Sequence, residues 1–479
     1  MTSSSLLYLS RRYTPLVLGP ALLLMTLVVA PPAGFSIAAW HCAGLALWMA
    51  LWWATEAIPL PATALLPLLV APLVGLSPLT PVAQSYAHPI VLLFMGGFIL
   101  GLAMQRWELH RRLALLILSR VGGKPEAQIG GFMLATAFLS MWVSNTATAV
   151  MMLPIALSVL AVLPDDQSPA RRRFAHVLLL AIAYSASIGG IATLIGTPPN
   201  AMLAAYLAAN HQIELGVFQW MTLGLPLAAV LLAICWKQLC TGGFAGLGEG
   251  VGGAEFGRML SALGPASRAQ RRVLWVFIST ALAWVLRPVY SDLLPGISDT
   301  GIALAAALAL FVIPAGESKR PLLTWPEAEG LPWGVLLLFG GGLALAGLIS
   351  ESGLSDWIAI QFGALAGWPE LLLVLCLVLL MVFLTELTSN TATTAAFLPL
   401  LGALALATDV SPLLLCTAAA IAASCAFMMP VATPPNAVVF GSGELPIRVM
   451  MKHGLYLNLS VTLVLSLTVW VVAGLWWQP

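Results

Sequence analysis

A chain of 479 residues that is 60% hydrophobic and only 8% charged lies far below the roughly 25% charged residues of a soluble protein, which excludes a soluble globular fold. Its net charge of +1 says nothing in favour of a nucleic-acid partner, and none is expected. The apolar runs are continuous rather than alternating at every second residue, which excludes a transmembrane β-barrel.

Taken in chain order, residues 14–35, 37–55, 58–79, 174–209, 216–236 and 454–477 each approach or exceed the ~20 residues a helix needs to cross ~30 Å of hydrocarbon. Residues 1–36 read as an uncleaved first span rather than a signal peptide, with Arg11 and Arg12 holding its start in the cytoplasm. Glu56, in TEAIPLPATALLPLL, reads as an interfacial structural residue. Residues 37–240 form a first half. The Gly-rich, polar stretch 241–270 reads as a cytoplasmic linker, and residues 271–479 form a second half. The six cysteines lie in or beside apolar segments without a CxxC pair, as small buried hydrophobes do. The histidines show no metal-binding spacing.

The halves repeat one another. VLLFMGGFILGLAM from Val91 answers VLLLFGGGLALAGLI from Val335, with Phe94 and Phe339 245 residues apart. SNTATAVMMLP from Ser144 answers SNTATTAAFLP from Ser389 at the same offset. GTPPNAM from Gly196 answers ATPPNAV from Ala432 at an offset of 236. The FxGG patches suit close helix packing. Basic residues mark cytoplasmic loops, and every cluster except Arg287 fits one path of about eleven spans, with the N-terminus in the cytoplasm and the C-terminus outside. The first SNT is then approached from the cytoplasm, past Arg111, Arg112, Arg120 and Lys124. The second is approached from outside, past Glu351, Asp356 and Glu370. Equivalent segments entering from opposite sides is the inverted-repeat plan of secondary transporters.

Ser, Asn and Thr favour helix caps, so 126–162 and 370–406 are expected to be re-entrant hairpins with SNT at the tip, each arm too short to cross. Consecutive prolines break a helix, so each TPPN marks a discontinuous span. Backbone freed at membrane depth is tolerated only where protein or a wet cavity satisfies it, and four such breaks are expected to meet at one cavity. Neutral oxygens there suit a small cation and fresh helix N-termini suit an anion. Neither motif holds Lys or Arg, so the cation itself becomes the anion's main charge partner. Glu386, three residues before Ser389, reads as a structural carboxylate rather than a proton carrier, because Met141 stands at the equivalent place.

These motifs resemble the divalent anion/sodium symporter family, carriers of di- and tricarboxylates or sulfate, and the likeness runs over nearly the whole chain. The resemblance implies an all-α integral membrane homodimer in the plasma membrane, in which a transport domain moves as an elevator against a scaffold. It implies substrate contacts from Ser144, Asn145, Thr146, Thr197, Ser389, Asn390, Thr391, Thr433 and Pro434. One sodium site would use Ser140, Ser144, Asn145 and Gly196, the other Thr385, Thr388, Asn390 and Ala432. The expected activity is sodium-coupled uptake of a C4 dicarboxylate such as succinate, malate or fumarate. The alternatives are a sodium-independent dicarboxylate or citrate exchanger, a sulfate transporter and, in another class, a membrane-embedded enzyme or a channel. No nucleophile–base pair or metal cluster within the spans supports an enzyme.

Overall fold

The computed structural model describes residues 3–32, 34–163, 168–245, 247, 253–316 and 320–475. The side chains of Arg11 and Arg12, part of the 241–270 linker, Lys319 and the C-terminal end at 476–479 lie outside the described residues. Among the described residues every extended element is a helix, and pairing of the strand type is confined to one bridge between Pro314 and Pro321.

Eight described helices are long and apolar enough to cross a membrane, or up to nine if a bent pair counts as one span. Local chemistry explains why this is fewer than the eleven or so spans expected. In 58–79 the prolines divide the run into Leu60–Thr63 and Leu66–Leu73, because each removes an N–H and clashes with the preceding turn. Asp299–Val312 has only 14 residues. The run 174–209 is split into Pro169–Ile191 and Pro198–His211, and its counterpart into Pro412–Ala423 and Pro434–Phe440.

These two interrupted helices form the core. Burial is unbroken from Val177 to Thr197 and from Leu413 to Phe427, as expected of helices that are apolar all round. Packed on them are two helix pairs, Pro125–Ser140 with Asn145–Val162 and Glu370–Thr385 with Asn390–Thr408. Each pair is separated by four residues that hold the start of an SNT. One expectation about these arms needs correction, since Asn390–Thr408 alone is long and apolar enough to span. A turn of 113° precedes the second pair, between Leu354–Leu365 and Glu370–Thr385.

Beside this core stand Pro89–Arg106 and Trp333–Glu351, the helices carrying the FxGG patches. The repeat mates Phe94 and Phe339 meet edge to face with ring centroids 5.0 Å apart. A second apolar cluster joins Pro89–Arg106 to Arg268–Tyr290 and Asp299–Val312. Its end is tied by Glu327, whose two carboxylate oxygens both accept from Arg320 Nη2, at 2.8 and 2.7 Å, and which takes a further bond from Arg106. Glu327 also closes a capping box with Thr324. Burial pushes the Glu327 carboxyl upward, but the two guanidinium groups and the Thr324 donors outweigh it and hold it down at about 2. Arg287, the one basic residue that breaks the charge rule, pairs with buried Asp299 at 3.2 Å, so its charge is met by protein.

Candidate functional site

One cavity of about 820 Å³ is lined by both triplets, Ser144–Thr146 and Ser389–Thr391, and by both proline breaks, Gly196–Pro199 and Val431–Pro435. Four helices begin at its wall. Ser144 caps Asn145–Val162 by accepting from Ala147 N at 3.2 Å, and Ser389 caps Asn390–Thr408 by accepting from Ala392 N at 3.5 Å. Thr197 and Thr433 precede Pro198–His211 and Pro434–Phe440, where proline occupies the first helical position without leaving an N–H unmet. Three of these helices run 14, 18 and 19 residues, enough to present a positive dipole end to the cavity.

Of the expected residues, Ser144, Asn145, Thr146, Gly196, Thr197, Thr388, Ser389, Asn390, Thr391, Ala432, Thr433 and Pro434 all line this space. Ser140 and Thr385 do not. They lie fully buried behind the wall, where each holds the amide of its triplet. Ser140 Oγ is 2.6 Å from Asn145 Oδ1 and 2.7 Å from the Ala186 carbonyl oxygen. Thr385 Oγ1 is 2.6 Å from Asn390 Oδ1 and 2.9 Å from the Ala423 carbonyl oxygen. A hydroxyl has one proton, yet each meets two acceptors. Both repeats therefore collect more oxygen lone pairs than protons, which is chemistry suited to a hard cation.

The proline breaks are stapled the same way in both halves. Asn200 donates to the carbonyls of Gly190, Ile191 and Thr193 at 3.2, 3.4 and 2.8 Å. Asn436 donates to those of Ala426 and Met429 at 3.2 and 3.0 Å. The break thus keeps its carbonyls at fixed positions in place of a helical ladder.

Several residues escaped the sequence reading. Gly190 is one: a Cβ there would stand 2.8 Å from Asn145 Oδ1 and 3.2 Å from the Gly196 carbonyl oxygen, so only glycine lets these oxygens converge. The carbonyls of Ala186 and Ala423 carry no side-chain signal. Ser187, Gln105 and Trp142 also line the cavity, and only a packed structure brings them there. Glu386 is 3% exposed. Its carboxylate accepts from the backbone N–H groups of Phe427, Met428 and Met429 at 2.7, 2.8 and 2.9 Å, and from Asn458 Nδ2 at 2.7 Å. Asn458 sits in an apolar helix with no motif to mark it.

A family model described as the sodium:sulfate symporter transmembrane region matches residues 10–479. The chain belongs to that family. Two relatives bear the name sodium-dependent dicarboxylate transporter SdcS. The one from Staphylococcus saprophyticus is 40% identical over 467 residues and one from Staphylococcus aureus is 41% identical over 469. Each alignment covers 95% of this chain and 90% of the relative. The crystal structure of the Alcanivorax borkumensis YdaH transporter shares the fold, with a TM-score of 0.55 at 18% identity over 83% of this chain and 88% of that one. Family and relatives are transporters, and the reading as a membrane-embedded enzyme falls away. The chain is accordingly a multi-pass membrane protein.

Proposed function

We propose that this protein is a sodium-coupled importer of C4 dicarboxylates such as succinate, malate or fumarate. The observation that carries the reading is the wall of the central cavity. Two SNT triplets and several helix N-termini face it, and among the described residues lining it there is no Lys or Arg, while Glu56 is an acid. A dianion placed there is met by hydroxyls, amides, helix dipoles and bound cations only. Without the cations it loses its main charge partners, and binding of the two becomes linked.

In this reading Ser144, Asn145 and Thr146 hold one carboxylate and Ser389, Asn390 and Thr391 the other, with Thr197, Thr433 and Pro434 completing the walls. One sodium ion takes oxygens from Ser140, Ser144, Asn145 and Gly196, the second from Thr385, Thr388, Asn390 and Ala432. The surplus of acceptors around Ser140 and Thr385 supports both positions. The name of the relatives, sodium-dependent dicarboxylate transporter, supports both cargoes. The chain works in the plasma membrane as a homodimer of two inverted repeats, with eleven crossings and two re-entrant hairpins. The N-terminus is cytoplasmic, the C-terminus is outside, and the transport domain rides as an elevator. The cavity reaches Thr55, Glu56, Gln105, Gly330 and Pro332, beside the basic Arg106 and Arg320, which the charge rule assigns to the cytoplasm. The conformation is then open inward.

Uptake of labelled succinate into proteoliposomes tests this. It is expected to require an inward sodium gradient and to be competed by malate and fumarate. Uptake indifferent to sodium but dependent on internal dicarboxylate would make the protein an exchanger. Competition by sulfate rather than succinate would change the substrate class.

A further inference from the structure

The two halves tie the break to the neighbouring helix pair by different chemistry. In the first half the connection is neutral, from Thr193 Oγ1 to the Met141 carbonyl oxygen at 2.5 Å. In the second half the residue 245 positions after Met141 is Glu386. Its carboxylate gathers three successive backbone N–H groups of the break and the Asn458 amide. All four contacts donate toward it, so the group acts as a pure acceptor, and carboxylate acceptance from backbone N–H is among the stronger kinds of hydrogen bond. None of the ion pairs among the described residues involves Glu386. A buried negative charge with no cationic side chain is therefore built into one half only.

We infer that Glu386 is a positioning residue that makes the second cation site, at Thr385, Thr388, Asn390 and Ala432, bind sodium more tightly than its counterpart in the first half. The inference rests on the proposed sodium coupling and deepens it. Two physical routes act together. Glu386 directly follows Thr385, which holds Asn390 Oδ1. Through Met429 it also fixes the break, because the Met429 N–H is bound to Glu386 while the Met429 carbonyl accepts from Ala432 N at 3.2 Å and Asn436 Nδ2 at 3.0 Å. The Ala432 carbonyl is thereby held for the cation. The second route is the charge. A unit charge a few residues away, in surroundings of effective dielectric about 20, changes cation affinity by roughly tenfold. The first site, with Met141, has the same brace in neutral form, since Thr193 is tied to Met141 and its carbonyl accepts from Gly196 N at 3.3 Å and Asn200 Nδ2 at 2.8 Å, but it has no charge behind it, so the second site fills at lower sodium.

The test compares wild-type protein with Glu386→Gln and Asn458→Ala, reading the sodium Kd of the tighter site by calorimetric titration of the purified protein, with succinate uptake in proteoliposomes beside it. Glu386→Gln removes the charge and turns an amide N–H toward a backbone N–H. The sodium Kd of the tighter site is expected to rise about tenfold, while half-saturating sodium for uptake, set mainly by the weaker first site, rises only about twofold and the succinate KM at saturating sodium stays within about twofold. Asn458→Ala keeps the charge, removes one donor of the four and is expected to raise the same Kd about two- to threefold. A role confined to folding would lower the maximal rate or the yield and leave the sodium Kd where it was, and that result would overturn the inference. Should Glu386→Gln fail to fold, Asn458→Ala decides alone, a shift supporting the inference and none overturning it. Wild-type uptake that ignores sodium would overturn both the coupling and this inference. Sodium-dependent wild-type uptake with unmoved variants would overturn this inference and spare the coupling.

Discussion

Asn145 and Asn390 each stand at the start of a helix, line the cavity, and have their amide oxygen drawn to a buried hydroxyl behind the wall. One side chain thus faces both an anion site and a cation site in the proposed mechanism. A hydrogen bond to a charged group contributes ~1.5–3 kcal/mol. Loss of an anion contact together with a cation ligand is therefore expected to lower uptake by roughly two orders of magnitude. Asn145→Ala and Asn390→Ala should each abolish measurable succinate uptake while the protein still elutes as a folded species in size-exclusion chromatography. Wild-type rates in both variants would discard the site. Gly190 gives an independent check. A methyl there would crowd Asn145 Oδ1 and the Gly196 carbonyl oxygen, and overpacking of this kind costs about 1–3 kcal/mol. Gly190→Ala is expected to raise half-saturating sodium at least about fivefold. Glycine at this place was not singled out from sequence, because its reason is the approach of two segments rather than its own turn.

At the scale of elements, the breaks were legible because helix-capping and helix-breaking residues are local. Ser144 and Ser389 cap, and the two TPPN segments interrupt, as their own backbone chemistry requires. The lengths of the arms were less legible, since the second arm of the hairpin expected over 370–406 proves long and apolar enough to cross by itself as Asn390–Thr408. The Glu327 cluster was invisible, being assembled from Arg106 and Arg320 on separate elements. Its carboxyl lies at about 2 in the folded protein against an ordinary 4.5. A depressed folded value means that its contribution is fully present above about 4.5 and disappears as pH falls toward 2. Glu327→Gln is expected to lower the thermal midpoint near neutral pH, and the gap from wild type should close on acidification through that window. A gap that stays constant down to pH ~2 would mean that the charge is not what stabilises this corner.

Across the whole molecule, the question is which side the cavity faces. Val431 is 78% exposed and lines it, as does Leu387 at 73%. In a background where the exposed Cys376 is replaced by serine, Val431→Cys is expected to react with a membrane-impermeant maleimide applied from the cytoplasmic side. Sodium and succinate together should slow that reaction at least about threefold. Labelling only from the outer side would reverse the orientation assigned by the basic residues.

Composition and pattern were enough to determine that the chain lives in a membrane, that it is helical, that its halves repeat and where the SNT and TPPN motifs interrupt its helices, because each of these follows from local hydrophobicity, charge and capping. The family resemblance was carried by the same local motifs. Tertiary structure alone decided that Ser140 and Thr385 lie behind the wall, that Gly190 makes room for converging oxygens, and that Glu386 is gripped by a distant backbone segment and by Asn458. Those facts depend on segments tens of residues apart meeting in a dense interior, where a single proton or methyl group settles which oxygens can approach.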